Sequence, residues 1–525
     1  MSANWLPLGN TIILAVYTCL IACPLGGILG GALGRRKIAG ARGAQLFLAG
    51  LFFVPLYVTT AAWEAGFGVQ GWLTPNLSTP LLAGWRGAAW VHAMHAVPVV
   101  ALIVANAIRM FPRCWDEQIR LDSSSPLVWT RHAWPYWGAA LMVAAIWIVM
   151  QCSIEITVTD VFQIRTFAEE VYIGFARDRI GQEQAFSQTA LTILTGAVFF
   201  ALLLGCGTYV VGVTTRAMAD GDHQPPDFCE RTWGRPVATG ATMAIIAILV
   251  MIPVACLIYK AGIDVRVVNG ERLRQWSGSK VVRQTMLGYW QFRREYMWSF
   301  AIAQLASLTA ILVSMPLAVW GRRPRWRWMV VAGIVAGLWV VPGPVIGIVV
   351  ITLMNQRSSP MLVYLYDQTI AAPWLALTIR IFPMTLLLMW FVVQTVPRQQ
   401  WEAAQVDGAG WWTCVTRIVF GQRVASVMAV WLLALAVALG DLSASILVVP
   451  PGLNTLAIRT FGLIHYGVED QQAAVCLGYL LLLSLILALA GGLVHGEMIG
   501  GKRTRENVDR SLARGRYNRK ETDFL

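Results

Sequence analysis

Charge is what this chain has least of. Only 13% of its 525 residues are Asp, Glu, Lys or Arg, against 57% hydrophobic residues and a mean hydropathy of +0.59. So few charges exclude a soluble multidomain enzyme of this length, whose surface would need about twice that fraction. Acids are scarcer than bases, 28 against 41, which leaves a net charge of +13. The excess does not point to nucleic acid, because the basic residues fall in short bursts between long apolar runs, as in a polytopic membrane protein. The 6 His and 9 Cys show no CxxC pair and no metal-ligand spacing. The cysteines read as small apolar fillers, and no metal site is expected. Tryptophan is plentiful: 24 Trp against 13 Tyr suit a chain with many membrane-water interfaces, where the indole sets an apolar body in lipid and a polar edge in water.

A bilayer core of about 30 Å takes roughly 20 apolar residues per helix. Windows of that kind lie near 10–33, 44–67, 87–110, 135–155, 187–215, 239–261, 298–320, 328–354, 373–396, 424–449 and 472–495, eleven in all. Alternate connections carry 26 of the Lys and Arg residues, including Arg35, Arg36 and Lys37 in one loop and Arg322, Arg323, Arg325 and Arg327 in another. The opposite connections carry 13, seven of them in the long segment 263–297. The basic side is expected to be cytoplasmic, with the N-terminus outside and the C-terminus inside.

The chain repeats itself. Gly34-Arg35-Arg36 recurs as Gly321-Arg322-Arg323, Val54-Pro55 as Val341-Pro342, and His95 to Pro98 align with Arg380 to Pro383. Glu117 to Asp122 align with Glu402 to Asp407, and Glu155 with Asp441. Offsets drift only between 285 and 289 residues, which points to a duplicated five-helix unit. Six crossings separate the two Glu-containing loops, so the halves are parallel. The expected organisation is a first repeat over 1–216, a linker with an extra membrane helix and a long external loop over 217–297, a second repeat over 298–495, and a basic tail over 496–525.

The most informative stretch is Glu402-Ala403-Ala404-Gln405-Val406-Asp407-Gly408, followed by Arg417-Ile418, in a loop on the cytoplasmic side. It resembles the EAA loop of binding-protein-dependent ABC importer permeases, with Phe420-Gly421 where that pattern has Leu-Pro. The resemblance implies a short helix that docks on an ATPase. Alanines keep its face shallow, Gly408 permits a sharp turn, and Glu402 complements the start of the helix. Glu117, Asp122, Ser123 and Arg131 stand at the corresponding places of a weaker first copy. Asp441 and Ser443 lead into Pro450-Pro451-Gly452, a stretch similar to the fused, duplicated permeases of ferric-iron importers.

The resemblance implies a type I importer fold with two copies of an ABC ATPase below and a periplasmic solute-binding protein above, in a bacterial inner membrane. Thiamine, sulfate or polyamine would fit the same architecture, and a secondary transporter built from parallel repeats is the alternative outside the family. Gly496 to Lys502 nearly spells a P-loop, but Arg503 replaces the Ser or Thr that would bind magnesium, and a membrane helix precedes it. The chain is therefore expected to bind no cofactor and to catalyse nothing, with ATP and magnesium on the partner ATPase. The basic tail reads as solvated near anionic membrane lipid. Ionisable residues at membrane depth are costly, and Glu155, Asp160, Asp441 and Ser443 are the candidate pathway residues.

Overall fold

The fold is described from a computed structural model covering residues 6–522, apart from 35–39, 70, 75–78, 111–116, 120, 122–125, 177–233, 269–270, 323–324 and 357. The expected span near 187–215, with Asp122 and Ser123, lies outside the described residues. The described chain is helical almost throughout: an all-α polytopic membrane protein with seven helices long and apolar enough to cross a bilayer, or up to ten if each of three bent pairs is one span.

The first half comprises α1 (Leu6–Gly34), α2 (Ala41–Leu51), α3 (Leu56–Phe67), α4 (Gly84–Arg109), α5 (Pro126–Ile154), the single turn α6 (Thr157–Val161) and α7 (Phe167–Ala176). The extra helix α8 (Gly234–Gly262) leads into an antiparallel hairpin, β1 (Ile263–Val268) and β2 (Glu271–Trp276), and then into α9 (Gly278–Gln291). That hairpin is the one strand pair among the described residues. The second half comprises α10 (Arg293–Trp320), α11 (Arg325–Val340), α12 (Gly343–Met354), α13 (Pro360–Gln368), α14 (Ala371–Gln394) and α15 (Arg398–Val406). The helix α16 (Trp411–Thr413) runs on as a π-helical stretch to Phe420, before α17 (Val424–Gly440), α18 (Leu456–Tyr466) and α19 (Glu469–Thr522).

Two apolar windows that read as straight spans are bent. The pair α2 and α3 turns through 99° at Pro55, and the pair α11 and α12 turns through 98° at Pro342, the residue 287 positions on. Proline starts the second member of each pair because it lacks the N–H that a continuous helix would need. The window at 424–449 ends early: α17 stops at Gly440, and residues from Asp441 run as turns rather than helix to Val449. In the other direction α19 continues without a break past residue 496.

The two halves exchange contacts. Val171 of α7 packs against Val345 and Ile348 of α12, so an outer helix of the first half lies on the bent pair of the second. Reciprocally, Leu456 and Leu463 of α18 share a core with Tyr57, Val58 and Ala61 of α3. Helix α8 joins this seam, where Lys260 forms an ion pair with Glu469.

Within the first half, α1 and α4 cross so closely that Gly26, Gly30 and Gly34 face α4 with no room for a side chain. A Cβ on Gly30 would lie 2.5 Å from the Ala101 carbonyl oxygen, and one on Gly26 would lie 2.5 Å from Val100 Cβ. Small residues four apart let helix backbones touch in lipid, where packing rather than hydrophobicity drives association. Gly30→Val is expected to destabilise the purified protein by about 1–3 kcal/mol through overpacking. Gly43→Val, at a glycine with open space around it, is expected to leave the melting temperature unchanged; equal melting temperatures for the two variants would contradict the close crossing.

Candidate functional site

On the basic side, α15 begins at Arg398, directly after Pro397, so Glu402 sits in the middle of this helix rather than at its start. Its carboxylate accepts a hydrogen bond from Arg398 Nε at 2.5 Å, an exposed i,i+4 pair. The helix ends as Gly408 enters the left-handed region at φ 72°, with Ala409 N–H donating to the Ala404 carbonyl at 2.9 Å. This is the Schellman closure, and it favours glycine because a Cβ is strained there.

The loop is clamped from one side by Arg322. Its guanidinium donates to the carbonyls of Val393 (2.7 Å) and Val396 (3.0 Å) at the C-terminal end of α14 and stacks 4.4 Å over the Trp401 ring. A cation suits that end, where the last carbonyls have no helical donor. From the other side Glu497 of α19 accepts from Arg423 (2.7 Å) and from the N–H and hydroxyl of Ser426 (2.9 and 2.8 Å), capping α17. The degenerate P-loop stretch thus holds a structural carboxylate.

Of the candidate docking residues, Glu402, Ala403, Asp407, Gly408 and Arg417 are exposed. Ala404 packs inward, and Ile418 is buried in the core with Cys414, Val415 and Val419, so neither of these presents itself to a partner. In the first half Glu117 and Arg131 are exposed, and Ile119 is buried. Two residues that the sequence reading passed over stand out. Leu121 and Val406, related by the repeat offset of 285, are each 88% exposed, an apolar tip on each loop.

In the membrane two pairs aligned by the sequence offset, His95 with Arg380 and Glu155 with Asp441, come to one place. A cavity of about 150 Å³ between the halves is lined by Pro55, His95 and Glu155 of the first repeat and by Arg380, Pro383 and Asp441 of the second. Arg380 Nε donates to Asp441 Oδ2 at 3.1 Å, and its Nη1 donates to the carbonyl of Val341 at 3.4 Å, in the break between α11 and α12. The arginine satisfies both a buried carboxylate and a carbonyl freed by the broken helix. Asp441 Oδ1 also accepts from Ala444 N–H at 2.9 Å, and Ser443 Oγ lies 3.5 Å from Oδ2. Glu155 likewise has a hydroxyl two residues on, that of Thr157, which donates to it together with the Thr157 N–H. The acid and the hydroxyl two positions later are repeat equivalents in both halves. The site therefore holds two carboxylates and one guanidinium.

Asp160 is not part of that cavity. It accepts from His465 Nε2 of α18 at 2.9 Å, joining the two halves outside the spans. The Asp160 hydrogen bond raises the His465 pKa above its ordinary value, and burial, helped by Asp160, pushes Glu169 to about 7. Glu64 also faces His465 electrostatically.

Fold and site together define a membrane protein whose two halves close around a charged cavity and present a built loop on the basic side. Residues 310–499, which include the loop and Asp441, match the family described as binding-protein-dependent transport system inner membrane component. Over that stretch the chain is similar to permeases of the ABC importer class, which are transport components. The comparison with curated proteins returns no match.

Two outcomes follow from the geometry. Arg380→Ala, which strands Asp441 and the Val341 carbonyl, is expected to cost about 3–5 kcal/mol. Adding Asp441→Asn should recover part of that loss in a double-mutant cycle of thermal unfolding, and strict additivity would show that the pair is not coupled. His465 and Glu169 both bind protons more tightly when folded, so their contribution to stability is full at low pH. It is lost as pH rises, for Glu169 up to about 7 and for His465 above its ordinary value near 6.5. The melting temperature should fall between pH 5.5 and 8 by less in a His465→Gln, Glu169→Gln variant than in the wild type; identical slopes would remove these two groups from the account.

Proposed function

We propose that this chain forms both halves of the translocation path of an ATP-driven importer, docks two copies of a separate ATPase through its two loops, and receives ferric iron from a periplasmic binding protein. The observation that carries the reading is the pairing of Leu121 with Val406. Two loops 285 residues apart offer the same exposed apolar tip, in the setting expected of a surface that another protein covers. The schematic motion is simple. When ATP closes the ATPase dimer, the docked loops approach each other, and the clamps at Arg322 and Glu497 carry that displacement into α14 and α17. Those helices bring Arg380 and Asp441 to the cavity, so access is passed from one side to the other.

The substrate reading rests on chemistry and on resemblance. Two carboxylates against one guanidinium favour a cation over an anion, and the segment from Asp441 through Pro450-Pro451-Gly452 is similar to that of ferric-iron permeases. The cytoplasmic placement of the loops, with the N-terminus outside, follows from the basic bursts.

The test is to solubilise the chain gently from its native membrane and compare wild type with Leu121→Asp, Val406→Asp and Gly408→Trp. An ABC ATPase should co-purify with wild type and be lost from the variants, while uptake of radioactive ferric iron into vesicles should require ATP and fall at least tenfold. Uptake driven by an ion gradient, with no ATPase bound to any form, would overturn the proposal in favour of a secondary transporter; ATP-driven uptake of thiamine, sulfate or polyamine in place of iron would overturn the substrate alone.

A further inference from the structure

The helix α9 has no part in the import scheme, and its contacts fix its depth in the membrane. Its inward face is fixed to the start of α19: Lys280 Nζ lies 3.2 Å from Asp470 Oδ2, and Tyr289 Oη donates to the Gly478 carbonyl at 2.6 Å. Phe292, at the junction with α10, is buried in the core shared by the two halves. At the other end of α19, Glu497 is tied to Arg423 and Ser426 beside the basic loop. From Gly478 to Glu497 the helix rises about 28 Å at 1.5 Å per residue, close to the roughly 30 Å of a hydrocarbon core. With Glu497 at one edge of the core, Gly478 stands at the opposite edge. The C-terminal turn of α9 is therefore level with the headgroups of that leaflet.

The outward face of α9 has the composition of such a level. Val282, Met286 and Trp290 lie four residues apart and are 62%, 59% and 71% exposed. Arg283, Arg293 and Arg294 stand exposed among them, and the Arg293 guanidinium lies 4.9 Å from the centre of the Trp290 ring. That contact carries the exposed face across the break between α9 and α10. It then continues through Met297 and Phe300 to Leu312, deep in the span and 70% exposed. The stripe is thus continuous with the apolar face of the α10 span, at the depth of the lipid chains. Indole and guanidinium side by side at headgroup depth suit a lipid phosphate, with the ring among the upper methylenes and the guanidinium on the phosphate oxygens.

We propose that Trp290, Arg293 and Arg294 form a phospholipid headgroup site, and that α9 lies along the leaflet opposite the docking loops as an anchor for the seam between α8, α10 and α19. Anionic lipid is preferred, since three arginines face outward there. The site is independent of what the cavity transports, and of whether an ATPase drives it.

The full chain is reconstituted into nanodiscs of phosphatidylcholine with phosphatidylglycerol, with a fluorophore on Met286→Cys and the signal of the unsubstituted chain subtracted. Nitroxide-headgroup lipid should quench this label strongly and aqueous iodide weakly. The phosphatidylglycerol retained after detergent exchange should fall on the order of 30-fold in the Arg293→Gln, Arg294→Gln double variant, the equivalent of about 1 kcal/mol for each arginine. Arg293→Lys should retain the lipid, which separates loss of the site from a failure to fold. A label quenched by iodide but not by headgroup nitroxide would overturn the proposal, because the face would then be in water and free for a soluble partner. Retention of phosphatidylglycerol unchanged in the double variant would overturn the arginine site.

Discussion

Backbone that leaves the helix inside a bilayer has no water to turn to, and this constraint shapes the protein. Two helices break at repeat-related prolines, and each break frees carbonyls that a neighbour must satisfy. At the second break the neighbour is Arg380, which joins the Val341 carbonyl to the Asp441 carboxylate. The cavity between the halves owes its charge to this need. The arginine lines the cavity beside the broken helix, and the carboxylate that balances it is held by the turn after α17. A secondary structure that looks like a defect is thereby the reason a polar site exists at membrane depth.

The same economy is seen at the basic end. Arg322 caps the orphan carbonyls of α14 and stacks on Trp401, while Glu497 caps α17 through Ser426. Each residue meets a local need for a helix terminus, and together they hold the exposed loop from both sides. A loop fixed in this way moves with the helices it caps. In the proposed importer, that coupling is how force applied to Val406 reaches a cavity in the membrane.

Much of this was legible in the sequence, and the parts that were not have physical reasons. Long apolar windows gave the helices, and the offset between Glu155 and Asp441 pointed to their convergence because equivalent positions in parallel halves face a common axis. The helix start at Arg398 was signalled by Pro397 and was nevertheless placed at Glu402, where the motif rather than the capping chemistry drew attention. Asn269-Gly270 between two six-residue strands is a hairpin signal that the surrounding length of segment 263–297 obscured. Other features leave no local trace. His465 meets Asp160 across some 300 residues, and Glu497 reaches Ser426 across 71, so only the assembled fold reveals their roles. The exposure of Leu121 and Val406 is likewise a property of the loop's orientation, which an apolar letter in a sequence does not announce.

The central claim is that the two loops move together when ATP is bound and that the cavity responds. It is tested most directly by spin labels at Leu121 and Val406 in the purified complex, with the distance between them measured by pulsed electron resonance. The account predicts a shorter distance with a non-hydrolysable ATP analogue than without it, and recovery of the longer one after hydrolysis of ATP itself. A distance that stays the same in every nucleotide state, in a complex shown to transport, would contradict it.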